Sequence, residues 1–386
     1  MAVPTTPGPS PEAARVVGTL VNEIEAEREA LVGRIGDRIR DEIPDFRRLP
    51  ADALARAIRG NVTRALTAVH DLRPPTDAEL EQAAEIGRER AEQGLTVDAV
   101  LHAYRVTVTA VWSRFGELAR ERGADVTSVL AFSETLWLWA DAVMDIVGHA
   151  HREIELEQAR EEQQRRDGFV VALLTGTLDA AELRRESAAF GLDPDYLYVP
   201  FRARGPADGG GTPHRVAAVL TDGGGLITAL DRDLAGISVQ APAAPPGTAI
   251  GLGPPARLEA LPAAFALASR ALQTALAFGE EGVFTLADLS IRPAVLADEA
   301  LGDAFTARHL DPLAGLGRIG AELEQTLRTW FDCEMRVEET AKALHVHPNT
   351  LRHRLHRFED ATGATLRDPR DLVELWWALE RRRLEA

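Results

Sequence analysis

The chain of 386 residues has one cysteine, Cys333, and one lysine, Lys342. A lone thiol excludes an internal disulfide framework and a zinc site built from several cysteines, and it suits a reducing compartment. With lysine nearly absent, arginine carries the positive charge, which together with the Ala-rich composition reflects coding bias rather than mechanism. Long apolar runs are also missing. The most apolar helical stretch, Val126 to His149, is broken by Glu134, Asp141 and Asp145, which disfavours a membrane span. The opening MAVPTTPGPSPE has neither the basic start nor the apolar core of a secretory signal. Together these absences predict a cytoplasmic protein. Basic residues are outnumbered, 43 Lys plus Arg against 60 Asp plus Glu for a formal charge of -17. That balance opposes general affinity for nucleic acid or anionic membrane, so any DNA binding must come from a local patch.

What is present is the composition of a folded protein, 45% hydrophobic and 27% charged. The length predicts two or three cores. Residues 1–15 are Pro-rich and read as a disordered tail. From about Val16 to Arg166 the pattern is helix after helix, with Leu31, Ile35 and Ile39 at helical spacing, a stop at Pro44, a start at Pro50-Ala51-Asp52 and a capping box from Thr76 to Glu79. Thr96 is a further N-cap. This is read as a helical sensory or dimerisation domain over residues 16–166. It closes on HAHREIELEQAREEQQRR, either a solvated connecting helix or a dimeric signalling coil. Residues 167–295 change character to α+β, with strand candidates in YLYVPFRAR, HRVAAVL, GLITAL, ISVQA and TAIGLG, and a strong helix over Leu258 to Phe278. The runs Gly209-Gly210-Gly211 and Gly223-Gly224-Gly225 lack the Gly-Lys-Ser/Thr that a phosphate loop needs, and read as loop or hairpin turn.

Residues 296–386 carry the most informative stretch, VEETAKALHVHPNTLRHRLHRF from Val337 to Phe358. Val337, Ala341 and Leu344 recur at helical spacing, His345-Val346-His347 interrupts, and Pro348 sits where a new helix begins. In that second helix Leu351, Leu355 and Phe358 share one face. Asn349, Arg352, His353 and His356 form the opposite stripe, with Thr350, Arg354 and Arg357 flanking it. An apolar back and a donor-rich front are what a helix entering a major groove requires. Arg can read guanine or hold phosphate, Asn can pair with adenine, and helix N-terminal groups near Asn349 and Thr350 can meet the backbone. The predicted DNA-binding residues are therefore His347, Asn349, Thr350, Arg352, His353, Arg354, His356 and Arg357. Two amphipathic helices with a basic solvent face remain the plain structural alternative.

ALHVHPNTLRHRLHRFEDATG closely resembles the C-terminal helix-turn-helix signature of the PucR/CdaR family of bacterial transcriptional regulators. DPRDLVELWWAL fits that family's closing helix, with Asp368 as N-cap and Pro369 at the first helical position. AFGLDPDYLYVPF, GTAIGLGPPARLEALPAAFALASRALQTA and VFTLADL resemble the degenerate GGDEF-like domain of such regulators. GLTVDAVLHAYRVTVTAVW is similar to the helical input domain of RsbR-type stress-signalling proteins. The resemblance implies a multidomain, mainly α chain: an N-terminal helical, possibly globin-like domain, a degenerate GGDEF-like α+β domain and a C-terminal helix-turn-helix. It implies a dimeric or higher homo-oligomeric regulator that binds a double-stranded operator and answers a small-molecule effector or protein partner. A protein-interaction component of a stress-signalling assembly, or a nucleotide-binding or nucleotide-processing GGDEF-type protein, are the alternatives. The chain departs from the pattern at His345, where glycine is common in such turns, and at Asp332-Cys333-Glu334-Met335, where a Gly- or Asn-containing turn is expected. A left-handed residue at His345 would carry strain.

No catalytic role is predicted. The candidate cyclase hairpin reads Thr221-Asp222-Gly223-Gly224-Gly225-Leu226, without the signature carboxylates that would hold metal against a triphosphate. His345, His347, His353 and His356 are accounted for as turn and groove-facing groups, so no metal site and no cofactor is assigned. His70, His102 and Tyr104 in the helical domain are read as packed or solvated residues rather than haem ligands. Trp112, Trp137, Trp139, Trp376 and Trp377 are assigned to packing.

Overall fold

A computed structural model describes residues 10–205 and 225–385. The HRVAAVL strand candidate, the Gly209 run and residues 221–224 of the candidate hairpin lie outside them. The chain divides into two compact units, Met1–Glu162 and Gln163–Ala386. The described residues are mainly helical, with one small sheet in the middle of the sequence.

Among the described residues the first unit is all helical. Helix α1 (Pro11–Ala26) starts within the stretch read as tail, because Ser10 caps the Ala13 N–H and Pro11 occupies the first turn. It is followed by α2 (Arg28–Glu42), a short 3-10 turn at Pro44–Arg48, α3 (Ala51–His70), α4 (Asp77–Glu92), α5 (Val97–Arg122) and α6 (Val126–Thr175), whose residues from Gln163 onward belong to the second unit. The expected caps are present: the Thr76 hydroxyl takes the Glu79 N–H at 3.3 Å, the Glu79 carboxylate takes the Thr76 N–H at 2.8 Å, and Thr96 caps Ala99. The core joins Ile24, Ile35, Val62, Leu66, Phe115, Phe132 and Val147, with Phe115 and Phe132 stacked at 3.5 Å between ring centroids. Helix α4 meets α6 so closely that a Cβ on Gly87 would lie 2.5 Å from the Val147 carbonyl oxygen. Only glycine fits there. In α6, residues 152–166 are exposed except Ile154, as a charge-dense sequence dictates.

The second unit contains α7 (Ala180–Ala189) and a five-stranded sheet of β1 (Val199–Arg204), β2 (Leu226–Leu230), β3 (Asp233–Ser238), β4 (Ala249–Leu252) and β5 (Gly282–Phe284). The order is β2-β3-β1-β4-β5; all pairs are antiparallel except β4 with β5. Helix α8 (Leu261–Ala277) lies against the sheet. A Cβ on Gly251 of β4 would sit 2.1 Å from the Ala268 carbonyl oxygen of α8, so the close approach requires glycine there. The ISVQA run enters the sheet only through Ile237 and Ser238. The strand starts earlier, at Asp233, whose buried carboxylate is held by Arg202 at 2.7 Å and Arg204 at 2.6 Å. A charged residue that satisfies itself across neighbouring strands is invisible to a hydropathy pattern.

The same unit continues through α9 (Arg292–Ala297), α10 (Glu299–His309), a 3-10 turn at Asp311–Leu316, α11 (Arg318–Asp332), α12 (Val337–Ala343), α13 (Pro348–Thr362) and α14 (Pro369–Leu384). Leu323, Leu327 and Trp330 of α11, Phe358 of α13 and Leu375, Ala378 and Leu379 of α14 form one core. Ion pairs fasten α14: Glu380 takes Arg292 at 2.7 Å, and Glu374 takes His309 at 2.7 Å.

Candidate nucleic-acid interface

Both turns that set up α13 are built the same way. At the end of α11 the Met335 N–H donates to the Trp330 carbonyl (2.7 Å) and the Glu334 N–H to the Phe331 carbonyl (2.9 Å). At the end of α12 the Val346 N–H donates to the Ala341 carbonyl (2.9 Å) and the His345 N–H to the Lys342 carbonyl (3.1 Å). These paired six-to-one and five-to-two bonds are Schellman motifs, which need a left-handed residue just past the helix. Glycine usually fills that place; here Glu334 (φ 53°), Met335 (φ 62°) and His345 (φ 53°) do. The left-handed turn expected at His345 is thus present, with its strain.

Helix α13 then begins at Pro348, with His347 as cap. The His347 Nδ1 accepts the Asn349 N–H at 3.2 Å. That bond uses the Nδ1 lone pair and leaves the other ring nitrogen, Nε2, free of it at the helix start. Leu351 is 0% and Phe358 1% exposed, while Leu355 is half-buried. Their spacing aims the opposite face at solvent: Asn349, Thr350, Arg352, His353, His356 and Arg357 are all exposed. Asn349 accepts a bond from the Arg352 guanidinium at 3.0 Å, so the two groups most able to read base edges are pre-paired. Glu338, at the start of α12, lies 3.6 Å from Arg352, and Glu359 lies 3.5 Å from His356.

Arg354 stands apart from the other predicted residues. It is half-buried and turned toward α11, donating to Glu322 at 3.4 Å and Thr326 at 3.5 Å. Seven of the eight predicted residues therefore reach solvent at the cap or along one helix, and the eighth braces α13 against its neighbour. Sequence reading passed over two exposed cations on the preceding element, Arg336 at the cap of α12 and Lys342 in its last turn. The signal was there in Lys342, the one lysine of the chain.

Among the described residues no cluster of three or more His, Cys, Asp or Glu has metal-holding geometry, and no helix is long and apolar enough to cross a membrane. His70 pairs with Asp71 at 3.0 Å and His102 with Glu42 at 3.4 Å, both at the surface, whereas Tyr104 is buried.

Residues 323–380 match the PucR C-terminal helix-turn-helix domain, and residues 29–166 match the RsbT co-antagonist protein rsbRD N-terminal domain. Among similar proteins, an uncharacterized protein of Mycobacterium tuberculosis is 42% identical over 84 residues, 21% of this chain and 20% of that protein. The purine catabolism regulatory protein of Bacillus subtilis is 35% identical over 80 residues, 21% of this chain and 15% of the relative. The carbohydrate diacid regulator of Escherichia coli is 36% identical over 88 residues, 22% and 23% of the two chains. Each match thus spans about a quarter or less of the relative's length. A crystal structure of a regulator of polyketide synthase expression from Bifidobacterium adolescentis aligns with 24% identity and a TM-score of 0.26, covering 56% of this chain and 96% of that one. At the level of domains, the chain combines an RsbRD-type N-terminal domain with a PucR-type C-terminal helix-turn-helix domain.

Proposed function

We propose that the protein is a DNA-binding transcriptional regulator that lays α13 in the major groove of a double-stranded operator. The observation that carries this reading is the division of α13 into a buried face (Leu351, Phe358) and an exposed face of Asn349, Arg352, His353, His356 and Arg357, within a segment matching the PucR helix-turn-helix. Asn349 and Arg352 are assigned to base edges. His347 and Thr350 at the helix start, with Arg357, are assigned to phosphates. One short helix reads few bases, so the active species is a homodimer that presents two copies about one helical turn apart. Relatives named as regulators of purine catabolism and of carbohydrate diacids support the class of function.

In this reading residues 16–166 receive an effector or partner, residues 167–295 form a GGDEF-like scaffold without catalysis, residues 296–386 bind DNA, and the protein works in the cytoplasm. Effector binding shifts the population of arrangements in which both recognition helices reach the operator. A second reading, a protein-interaction component of a stress-signalling assembly, draws on the RsbRD match. Deletion of residues 330–386 separates the two: the regulator loses operator binding, while an assembly component keeps its partners and never had an operator.

A further inference from the structure

The N-terminal unit holds a cavity of about 30 Å³ between α2, α3, α4 and α5. Its walls are mostly apolar, including Ile39, Ile58, Ile86 and Val100, yet Asn61, Arg90 and Tyr104 also face it. A more open cleft of about 320 Å³ adjoins it, sharing Ala57, Ile86 and Arg90 and adding Arg56, Arg64 and Glu89. Three guanidiniums thus run inward from exposed Arg56 through half-buried Arg64 to Arg90, which is 5% exposed.

The innermost cation is poorly paired. Arg90 bonds to the Gln93 side-chain oxygen, and its nearest carboxylate is Glu89, at 3.7 Å and half in solvent. A guanidinium has five N–H donors, and a buried charge ordinarily has an opposite charge against it. Arg64 forms no ion pair among the described residues; it donates to Asn61 and, at 3.5 Å, to Gln82. The Asn61 carbonyl also takes the Tyr104 hydroxyl at 3.5 Å. Burial pushes the Tyr104 phenol upward against the opposing influence of Asn61, Arg64 and Arg90, which keeps it a donor. Cationic and neutral donors therefore converge where an apolar chamber opens, and among the described residues the carboxylates nearest the three guanidiniums, Glu89 at 3.7 Å from Arg90 and Asp52 at 3.2 Å from Arg56, are solvated ones at the surface.

We propose that this cavity and cleft bind a small carboxylate bearing a short apolar tail, with the carboxylate on Arg90 and Arg64 and the tail against Ile58, Ile86 and Val100. A planar carboxylate matches a guanidinium fork. The chamber has room for about two waters or the end of a short alkyl chain, which excludes a large ring. A free phosphate would satisfy the arginines but leave the apolar chamber unused. The site stands on its own geometry; its role as the effector site rests on the regulatory reading above.

The test titrates the full chain calorimetrically with 3-methylbutanoate at fixed ionic strength, beside acetate, 3-methylbutanol and inorganic phosphate. Saturable binding of 3-methylbutanoate is expected, with each comparison compound at least about ten-fold weaker because it lacks the tail or the carboxylate. Arg90→Gln should weaken binding by about ten-fold or more. Ala57→Leu, which fills the junction of the two spaces, should weaken it without removing charge. Arg64→Gln, in a less buried place, serves if the Arg90 variant fails to fold. Absence of saturation up to about 10 mM overturns the proposal. So does equal binding of phosphate or the alcohol, or unchanged affinity in Arg64→Gln and Ala57→Leu. The regulatory role fails separately if saturating carboxylate leaves operator affinity unchanged; a chain that binds no DNA leaves the site's own test intact.

Discussion

Replacing His345 with glycine should stabilise the helix-turn-helix without touching its DNA face. His345 is exposed, forms no side-chain hydrogen bond among the described residues, and sits at φ 53° in the Schellman turn between α12 and α13. A side chain in the left-handed region costs about 1–2 kcal/mol, which glycine avoids. Glycine returns about 0.4–1 kcal/mol of that through the greater freedom of its unfolded chain. The net gain is about 0.5–1 kcal/mol, or roughly a two- to five-fold drop in the local opening equilibrium. Because a chain with two compact units need not unfold in one step, hydrogen exchange of peptides spanning residues 337–362 is the suitable assay. His345→Ala keeps a Cβ and should show no gain. If alanine slows exchange as much as glycine does, or glycine speeds it, the turn is not strained and the reasoning is wrong.

Other variants probe the packing and the charges. Arg352→Ala should cost about 1–3 kcal/mol of operator affinity if it reads a base. Arg354→Ala, whose side chain is turned onto Glu322, should leave that affinity nearly unchanged and lower stability by no more than about 1 kcal/mol, a contrast read by fluorescence anisotropy and denaturation side by side. Phe358→Ala empties the centre of the C-terminal core and should destabilise it by about 3–5 kcal/mol, with loss of DNA binding following from unfolding. Thr76→Ala removes one half of the capping box at α4, for about 1 kcal/mol. The partner in that box, Glu79, is held below its ordinary value of 4.5 chiefly by the Arg73 guanidinium, with burial opposing and the Thr76 N–H assisting. A carboxyl whose folded value is depressed contributes fully above its unfolded value, and that contribution is lost as pH falls below about 4.5. Glu79→Gln should therefore flatten the acid limb of thermal unfolding of the N-terminal unit, while an unchanged acid limb would remove Glu79 from the account.

Local signals made the helix ends and the DNA-facing helix legible. Pro348 and the Leu351–Leu355–Phe358 spacing define α13, Asp368 and Pro369 start α14, and Thr76 with Glu79 start α4, because caps and periodicities act over a few residues. The direction of Arg354 was not legible, since it depends on Glu322 of α11, distant in sequence. The same holds for β3: Asp233 breaks the apolar pattern and is satisfied only by Arg202 and Arg204 across the sheet. Arg90 shows the limit most clearly. In the run Arg88-Glu89-Arg90-Ala91-Glu92 it reads as one more solvated charge, yet its turn of α4 faces the cavity beside Tyr104. Tyr104 and His102 are two positions apart on α5, which is enough to send one inward and the other to Glu42.

The central claim is that a small exposed face of α13 gives sequence-selective DNA contact on an otherwise acidic protein. Selection of genomic fragments retained by the full chain, at fixed salt, tests it most directly. The account predicts enrichment of a motif with two half-sites about one helical turn apart, with enrichment lost in Arg352→Ala and kept in Arg354→Ala. Fragments retained without any common sequence, or retained equally by a chain lacking residues 330–386, would contradict it.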